Sequence, residues 1–192
     1  MTHYPAIYLA SASPRRQELL RQLGIAFDVV VTDVPETPAP DETARAYVQR
    51  LARTKAEAGA RLARERGLPV RPVLGADTEV VIDGEILGKP TDATHGRAML
   101  KRLAGRTHDV LTAVALVANG SVRTALSETR VTMARMTDAE IDAYWSSGEP
   151  ADKAGGYAIQ GRAAAFIERI EGSYSGVVGL PLYEVVRLLR AV

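Results

Sequence analysis

The sequence predicts a mixed α/β (α+β) fold, in which a twisted mixed sheet is flanked by helices. Three observations carry this: short apolar runs alternating with helically periodic stretches, one long hairpin pattern around Asn119-Gly120, and Gly and Pro punctuation between the elements. At 192 residues and 46% hydrophobic, the chain suits one compact domain, or two closely joined lobes, over residues 1–192. It holds no internal repeat and no long linker.

Ile7 to Ala10 reads as a short buried strand, followed by a Ser-rich turn and a helix from Pro14 to Leu23 that Gly24 stops. Phe27 to Val31 returns as a strand. After the Pro-rich, acidic loop Asp33 to Asp41, a long helix runs to about Arg66, with Ala44, Val48, Leu51, Ala58 and Leu62 on one face. Val73 to Ala76 is a buried strand, and Asp83-Gly84 is a hairpin turn between Glu79–Ile82 and Glu85–Leu87. A helix follows from about Ala93 to Ala104. The two arms of the long hairpin are His108–Ala118 and Ser121–Arg135. Thr137 and Glu140 form a capping box that opens a helix ended by Gly148. Tyr157 to Ile170 reads mainly as strand, and Pro181 as the first residue of a final helix through Leu189.

Composition removes several function classes. Twenty-four Lys and Arg against 23 Asp and Glu leave a net charge of +1, so no overall field draws nucleic acid or a membrane surface. The absence of cysteine excludes disulfides, thiolate metal sites and cysteine nucleophiles, and fits a reducing compartment. No apolar run approaches the roughly 20 residues that span a bilayer, and the N-terminus has no basic-then-apolar leader pattern. The expectation is a soluble, cytoplasmic protein.

Four places break local rules. In Ser11-Ala12-Ser13-Pro14-Arg15-Arg16, Ser13 caps and Pro14 starts a helix, yet two arginines occupy the first turn. The helix dipole disfavours cations there by about 0.3 to 1 kcal/mol. An anion bound by Ser11, Ser13, Arg15 and Arg16 reverses that penalty; two solvated arginines are the plain alternative. Asp77 follows the apolar run Val73–Ala76, at the strand end where sites in α/β sheets gather, and suits a divalent cation or a proton from water. A turn or cap aspartate is the alternative. Glu36 is a second candidate carboxylate for the same metal, or a solvated loop acid.

Lys55 falls on the apolar stripe of its helix, so its ammonium either snorkels or meets a triphosphate or carboxylate. Lys89 sits in the short rigid loop Gly88-Lys89-Pro90. In Gly155-Gly156-Tyr157-Ala158-Ile159-Gln160-Gly161 the glycines permit close backbone approach, and Gln160 offers both a donor and an acceptor to a base edge; a bulged strand with a solvated Gln is the alternative. With three histidines and no cysteine, oxygen-ligated Mg²⁺ or Mn²⁺ is the metal these residues suit.

Ser11–Arg16, Gly75-Ala76-Asp77-Thr78, Gly88-Lys89-Pro90, Tyr157–Gly161, Gly172-Ser173-Tyr174-Ser175 and Val178–Leu182 stand in the order seen in the Maf (septum formation inhibitor) family. The chain resembles that family over nearly its whole length. The resemblance implies an elongated, two-lobed sheet with a cleft, related to inosine triphosphatase-like folds. It further implies a homodimer and hydrolysis of nucleoside triphosphates between the α and β phosphates. It makes Asp77 the proton acceptor and a metal neighbour, with Arg15, Arg16, Lys55 and Lys89 on the triphosphate. Arg15, Thr78 and Gln160 match the branch acting on dTTP and UTP, while modified pyrimidine nucleotides stay open. Two other readings use the same residues: a nucleotide-binding regulator of division, and a phosphatase releasing single phosphates.

Overall fold

The computed structural model describes residues 4–192. β1 (Ile7–Leu9) leads through α1 (Pro14–Gln22) to β2 (Phe27–Val29), which pairs with it in parallel. The helix starts where expected: Ser13 accepts from the Arg16 N–H, and Pro14 occupies the first turn, where its missing N–H costs nothing. Gly24, at φ 66°, takes the left-handed turn that ends it.

α2 (Ala44–Glu65) follows the acidic loop and carries the chain back to β3 (Val73–Ile82), which also lies parallel to β1. The buried side of α2 packs on the sheet through Val48, Ala52 and Ala56. Gly75 makes this approach unusually close. A Cβ there would stand 2.4 Å from the Ala52 carbonyl oxygen and 2.5 Å from the Ala56 nitrogen.

β4 (Glu85–Leu87) folds back on the end of β3, and α3 (Ala93–Leu103) leads into the long hairpin of β5 (Thr107–Ala118) and β6 (Ser121–Met133). Asn119 and Gly120, at φ 50° and 73°, supply the left-handed pair that matches the twist of the two arms. α4 (Asp138–Ser146) has the expected capping box between Thr137 and Glu140. After a stretch of short 3₁₀ turns come β7 (Ile167–Glu171), α5 (Tyr174–Val178) and α6 (Leu182–Leu189). The sheet has seven strands in the order β2-β1-β3-β5-β6-β7, with β4 on β3. No described helix is long and apolar enough to cross a membrane.

Three expectations need correction. The strand at Val73 does not stop at Ala76: β3 continues for ten residues, and Asp77 stands in its middle, paired in register with Ala113. The charged and polar residues at 77–79 face a cleft, so they interrupt the apolar pattern without interrupting the ladder. Tyr157–Ile170 is not mainly strand. Tyr157 to Gly161 is an irregular turn, 162–166 is 3₁₀, and only Ile167–Glu171 pairs, with β6. Its apolar residues are buried by packing across a loop, which imitates a strand pattern. Pro181 is the cap of α6 and not its first helical residue, and α5 precedes it.

Two apolar clusters share one face of the long strands. Leu74, Ala76, Val114 and Leu116 belong to the cluster under α1 and α6. Val80, Ile82, Val110 and Val131 belong to the one beneath α3 and α4. Between them runs a polar cross-strand row, Thr78 beside Thr112 beside Ser127. The row divides the molecule into two lobes spanned by one sheet.

Candidate active site

The cleft between the lobes lies at an interruption of the sheet. β1 covers β3 at Val73 and Leu74, and β4 covers it from Val80 to Ile82. Between these, no described strand pairs with that edge of β3. A cleft of about 640 Å³ opens there, lined by every sequence-predicted site residue: Ser11, Ser13, Arg15, Arg16, Glu36, Lys55, Asp77, Thr78, Lys89 and Gln160.

Alternation along β3 sends Asp77 and Glu79 towards α2, and Thr78 towards α1. Lys55 meets Asp77 from α2: its Nζ lies 2.6 Å from Asp77 Oδ1 and 2.6 Å from Glu36 Oε1. Lys55 and Asp77 are buried, whereas Glu36 is half-exposed on its loop. The stripe position of Lys55 is therefore explained by two carboxylates. Partial burial pushes the Glu36 carboxyl up, but the Lys55 hydrogen bond and the Lys55, Lys89 and Arg16 charges outweigh it and hold it below the usual range.

On the opposite face, Arg16 is bound, among the described residues, only by neutral acceptors. It donates to the Gly179 carbonyl (2.8 Å), the Ser11 hydroxyl (3.2 Å) and the Thr78 hydroxyl (3.3 Å). Burial pushes its pKa down, with the charge of Asp77 opposing that shift. A fixed guanidinium that no described carboxylate contacts, beside a helix N-terminus, has the charge and donors to take an anion. Ser11 Oγ also accepts from the Ser13 N–H at 3.2 Å, which shapes the turn around the cap. Arg15 reaches across the cleft mouth to Asp152 at 3.2 Å. Lys89 is exposed on the far wall and forms no ion pair among the described residues. Gln160 is exposed at the tip of its turn and contributes to the lining.

Sequence reasoning missed three charged residues of the cleft. Glu79 is buried, its Oε2 has no hydrogen-bond partner among the described residues, and its carboxyl is pushed up to about 8 by burial, then by Asp77 and Glu36. The signal was available: Glu79 is two residues from Asp77, on the same side of an extended chain. Asp152 and Lys153 also line the site. They come from a polar loop with no pattern that marks it.

A divalent ion fits this donor set. Asp77 Oδ2 is buried with no hydrogen-bond partner among the described residues, so one oxygen of the carboxylate is free, next to the Lys55 that also holds Glu36. No three acidic or histidine side chains among the described residues could encage an ion by themselves. One or two carboxylates plus substrate phosphates is the usual holding pattern of Mg²⁺.

An α/β fold whose cleft between two lobes of one sheet concentrates lysines and arginines around a buried, lysine-held aspartate has the makings of a phosphate-handling protein. A family model described as Maf-like protein matches residues 6–192, and the chain belongs to that family. A dTTP/UTP pyrophosphatase of Nitrosomonas europaea is 53% identical over 192 residues, covering 96% of this chain and 93% of that protein. A dTTP/UTP pyrophosphatase of Cupriavidus pinatubonensis is 54% identical over 190 residues, covering 96% and 95%. A solved nucleoside-triphosphatase (dITP/XTP pyrophosphatase) of Mycobacterium abscessus superposes with a TM-score of 0.40 at 22% identity, over 68% of this chain and 74% of that one.

Proposed function

We propose that this protein hydrolyses dTTP and UTP to the nucleoside monophosphate and pyrophosphate. The observation that carries the reading is the juxtaposition of Asp77 and Arg16 in one cleft, a buried carboxylate with a free oxygen beside a guanidinium with no acidic partner. Relatives at 53% and 54% identity, both named dTTP/UTP pyrophosphatase, support the substrate class.

In this reading the triphosphate enters along the open edge of β3. Arg16, the α1 N-terminus, Ser11 and Ser13 take phosphate oxygens on one side, and Lys89 takes them on the other. Arg15 exchanges Asp152 for the substrate. Asp77 accepts a proton from water through Oδ2 while Lys55 fixes Oδ1, and the water oxygen attacks the α phosphorus. The bond to the bridging oxygen breaks and pyrophosphate leaves, its growing charge stabilised by the arginines and lysines. A Mg²⁺ or Mn²⁺ ion held by Glu36 and the substrate phosphates, with Asp77 as its neighbour, would supply further charge neutralisation to the phosphates. Gln160 and Thr78, with Arg15, form the selective side of the cleft. A single catalytic unit over residues 1–192, working in the cytoplasm as a homodimer, completes the reading.

Hydrolysis in heavy-oxygen water tests the reaction. Mass spectrometry of the products should find the label in the monophosphate. Label in pyrophosphate, or release of single phosphates, would refute it.

A further inference from the structure

Gln160 stands exposed at the tip of a turn whose Tyr157 and Ile159 side chains are buried in the core beneath α3 and α4. Tyr157 to Gly161 lies outside the sheet, and its internal backbone bond runs from the Gly161 N–H to the Ala158 carbonyl at 2.9 Å. Two side chains hold it from behind. The Ala158 N–H donates to the Tyr144 hydroxyl at 3.0 Å, and the Arg162 N–H donates to Glu149 Oε2 at 3.1 Å. The two anchors are joined, because the Tyr144 hydroxyl donates to Glu149 Oε1 at 2.8 Å. One carboxylate and one phenol thus bracket the turn on both sides of Gln160.

The fit is close. A Cβ on Gly161 would lie 2.2 Å from Glu149 Oε2, so the backbone reaches the carboxylate only because residue 161 has no side chain. Burial pushes the Glu149 carboxyl up, but the backbone N–H donors and Tyr144 outweigh it and keep the group ionised, hence a pure acceptor. Tyr144 is buried on α4, whose start the capping box fixes. Neither Tyr144 nor Glu149 lines the cleft.

We propose that Tyr144 and Glu149 are positioning residues for base selection: a brace that sets where Gln160 and its neighbouring backbone meet the nucleobase, without touching it. This rests on the pyrimidine triphosphatase reading above. The brace acts chiefly on the base end of the substrate, since among the described residues none of α1, α2 or β3 hydrogen-bonds the Tyr144 or Glu149 side chain, and its one link to a cleft cation is Lys153, which donates to the Glu149 carbonyl at 2.8 Å.

The test uses full-length protein and Tyr144→Phe, which removes only the hydroxyl. The KM for UTP should rise about tenfold with kcat nearly unchanged, as expected when the hydroxyl's two hydrogen bonds, from the Ala158 N–H of the binding turn and to Glu149, are both lost. Discrimination of UTP against CTP and ATP should fall by a similar factor. Inorganic tripolyphosphate, which has no base, should inhibit wild type and variant equally. Amide hydrogen exchange on the nucleotide-free proteins should show Ala158 and Arg162 exchanging at least tenfold faster in the variant. Unchanged base discrimination, or equal weakening of tripolyphosphate inhibition, would overturn the proposal. Should Tyr144→Phe fail to fold, Glu149→Gln, which keeps one acceptor and loses the other, decides by the same readouts. The exchange measurement separates the two levels: a wild type with no turnover of UTP sinks the functional reading, whereas slow exchange at Ala158 in the variant sinks the brace.

Discussion

The Lys55 ammonium lies 2.6 Å from the Asp77 carboxylate, a helix residue meeting a strand residue 22 positions away in a buried contact. Lys55 also holds Glu36, so one cation keeps two acids together and orients the free oxygen of Asp77. Lys55→Met should therefore lose turnover by about a hundredfold or more, through misplacement of Asp77 and Glu36. It should also be destabilised by about 3 kcal/mol, the cost of leaving a buried charge without its partner. Steady-state kinetics and urea unfolding check the two parts. A variant as stable as wild type would show that the Asp77 charge is compensated by other groups.

The closeness of α2 to β3 depends on Gly75, where a Cβ would meet backbone and not a movable side chain. Gly75→Ala should push the helix out, cost roughly 1 to 3 kcal/mol as overpacking, and lower turnover because Lys55 moves with the helix. The comparison is Gly84→Ala, at a turn with open space around it. That variant should be strained at its positive φ, yet keep full kcat.

His108 is buried, its Nε2 lies 2.7 Å from the Tyr157 hydroxyl and its Nδ1 has no partner among the described residues. Burial pushes its pKa down to about 4, from an unfolded value near 6.5. The unfolded chain then binds the extra proton between those values, so stability present above pH 6.5 is lost as pH falls towards 4. Unfolding free energy should drop by about 2 kcal/mol more in wild type than in His108→Gln between pH 7 and pH 5. Equal losses in both proteins would mean that the histidine stays solvated.

Dialysis against EDTA should reduce turnover by at least a hundredfold, with recovery on adding Mg²⁺ or Mn²⁺. Because Asp77 and Glu36 alone make a poor cage, Mn²⁺ should bind the free protein weakly and much more tightly with a non-hydrolysable triphosphate present. Strong binding without nucleotide, seen by electron paramagnetic resonance, would contradict the shared site.

Much of this was legible in the residues. The Ser13 cap, the Asn119-Gly120 turn and the Thr137–Glu140 box are local signals, and local geometry decided them. Arg16 and Lys55 were conspicuous because each broke a local rule, a cation at a helix N-terminus and a charge on an apolar stripe. Asp77 was found but misplaced at a strand end, since a polar residue in a strand and a polar residue after one look alike until the partner strand is known. Glu79 escaped because it opened an apolar run. Tyr144 and Glu149 serve through contacts across 14 and 13 positions to backbone N–H groups, which no side-chain pattern records.

The central claim is that this cleft cuts pyrimidine triphosphates with Asp77 as the proton acceptor. The most direct measurement is to incubate the protein and Mg²⁺ separately with dTTP, UTP, CTP, ATP and GTP, resolve pyrophosphate from single phosphate, and run Asp77→Asn alongside. Pyrophosphate from dTTP and UTP, reduced by about a thousandfold in a normally folded Asp77→Asn, is the expected result. Turnover that survives the substitution, or preferential cleavage of ATP or GTP, would contradict it.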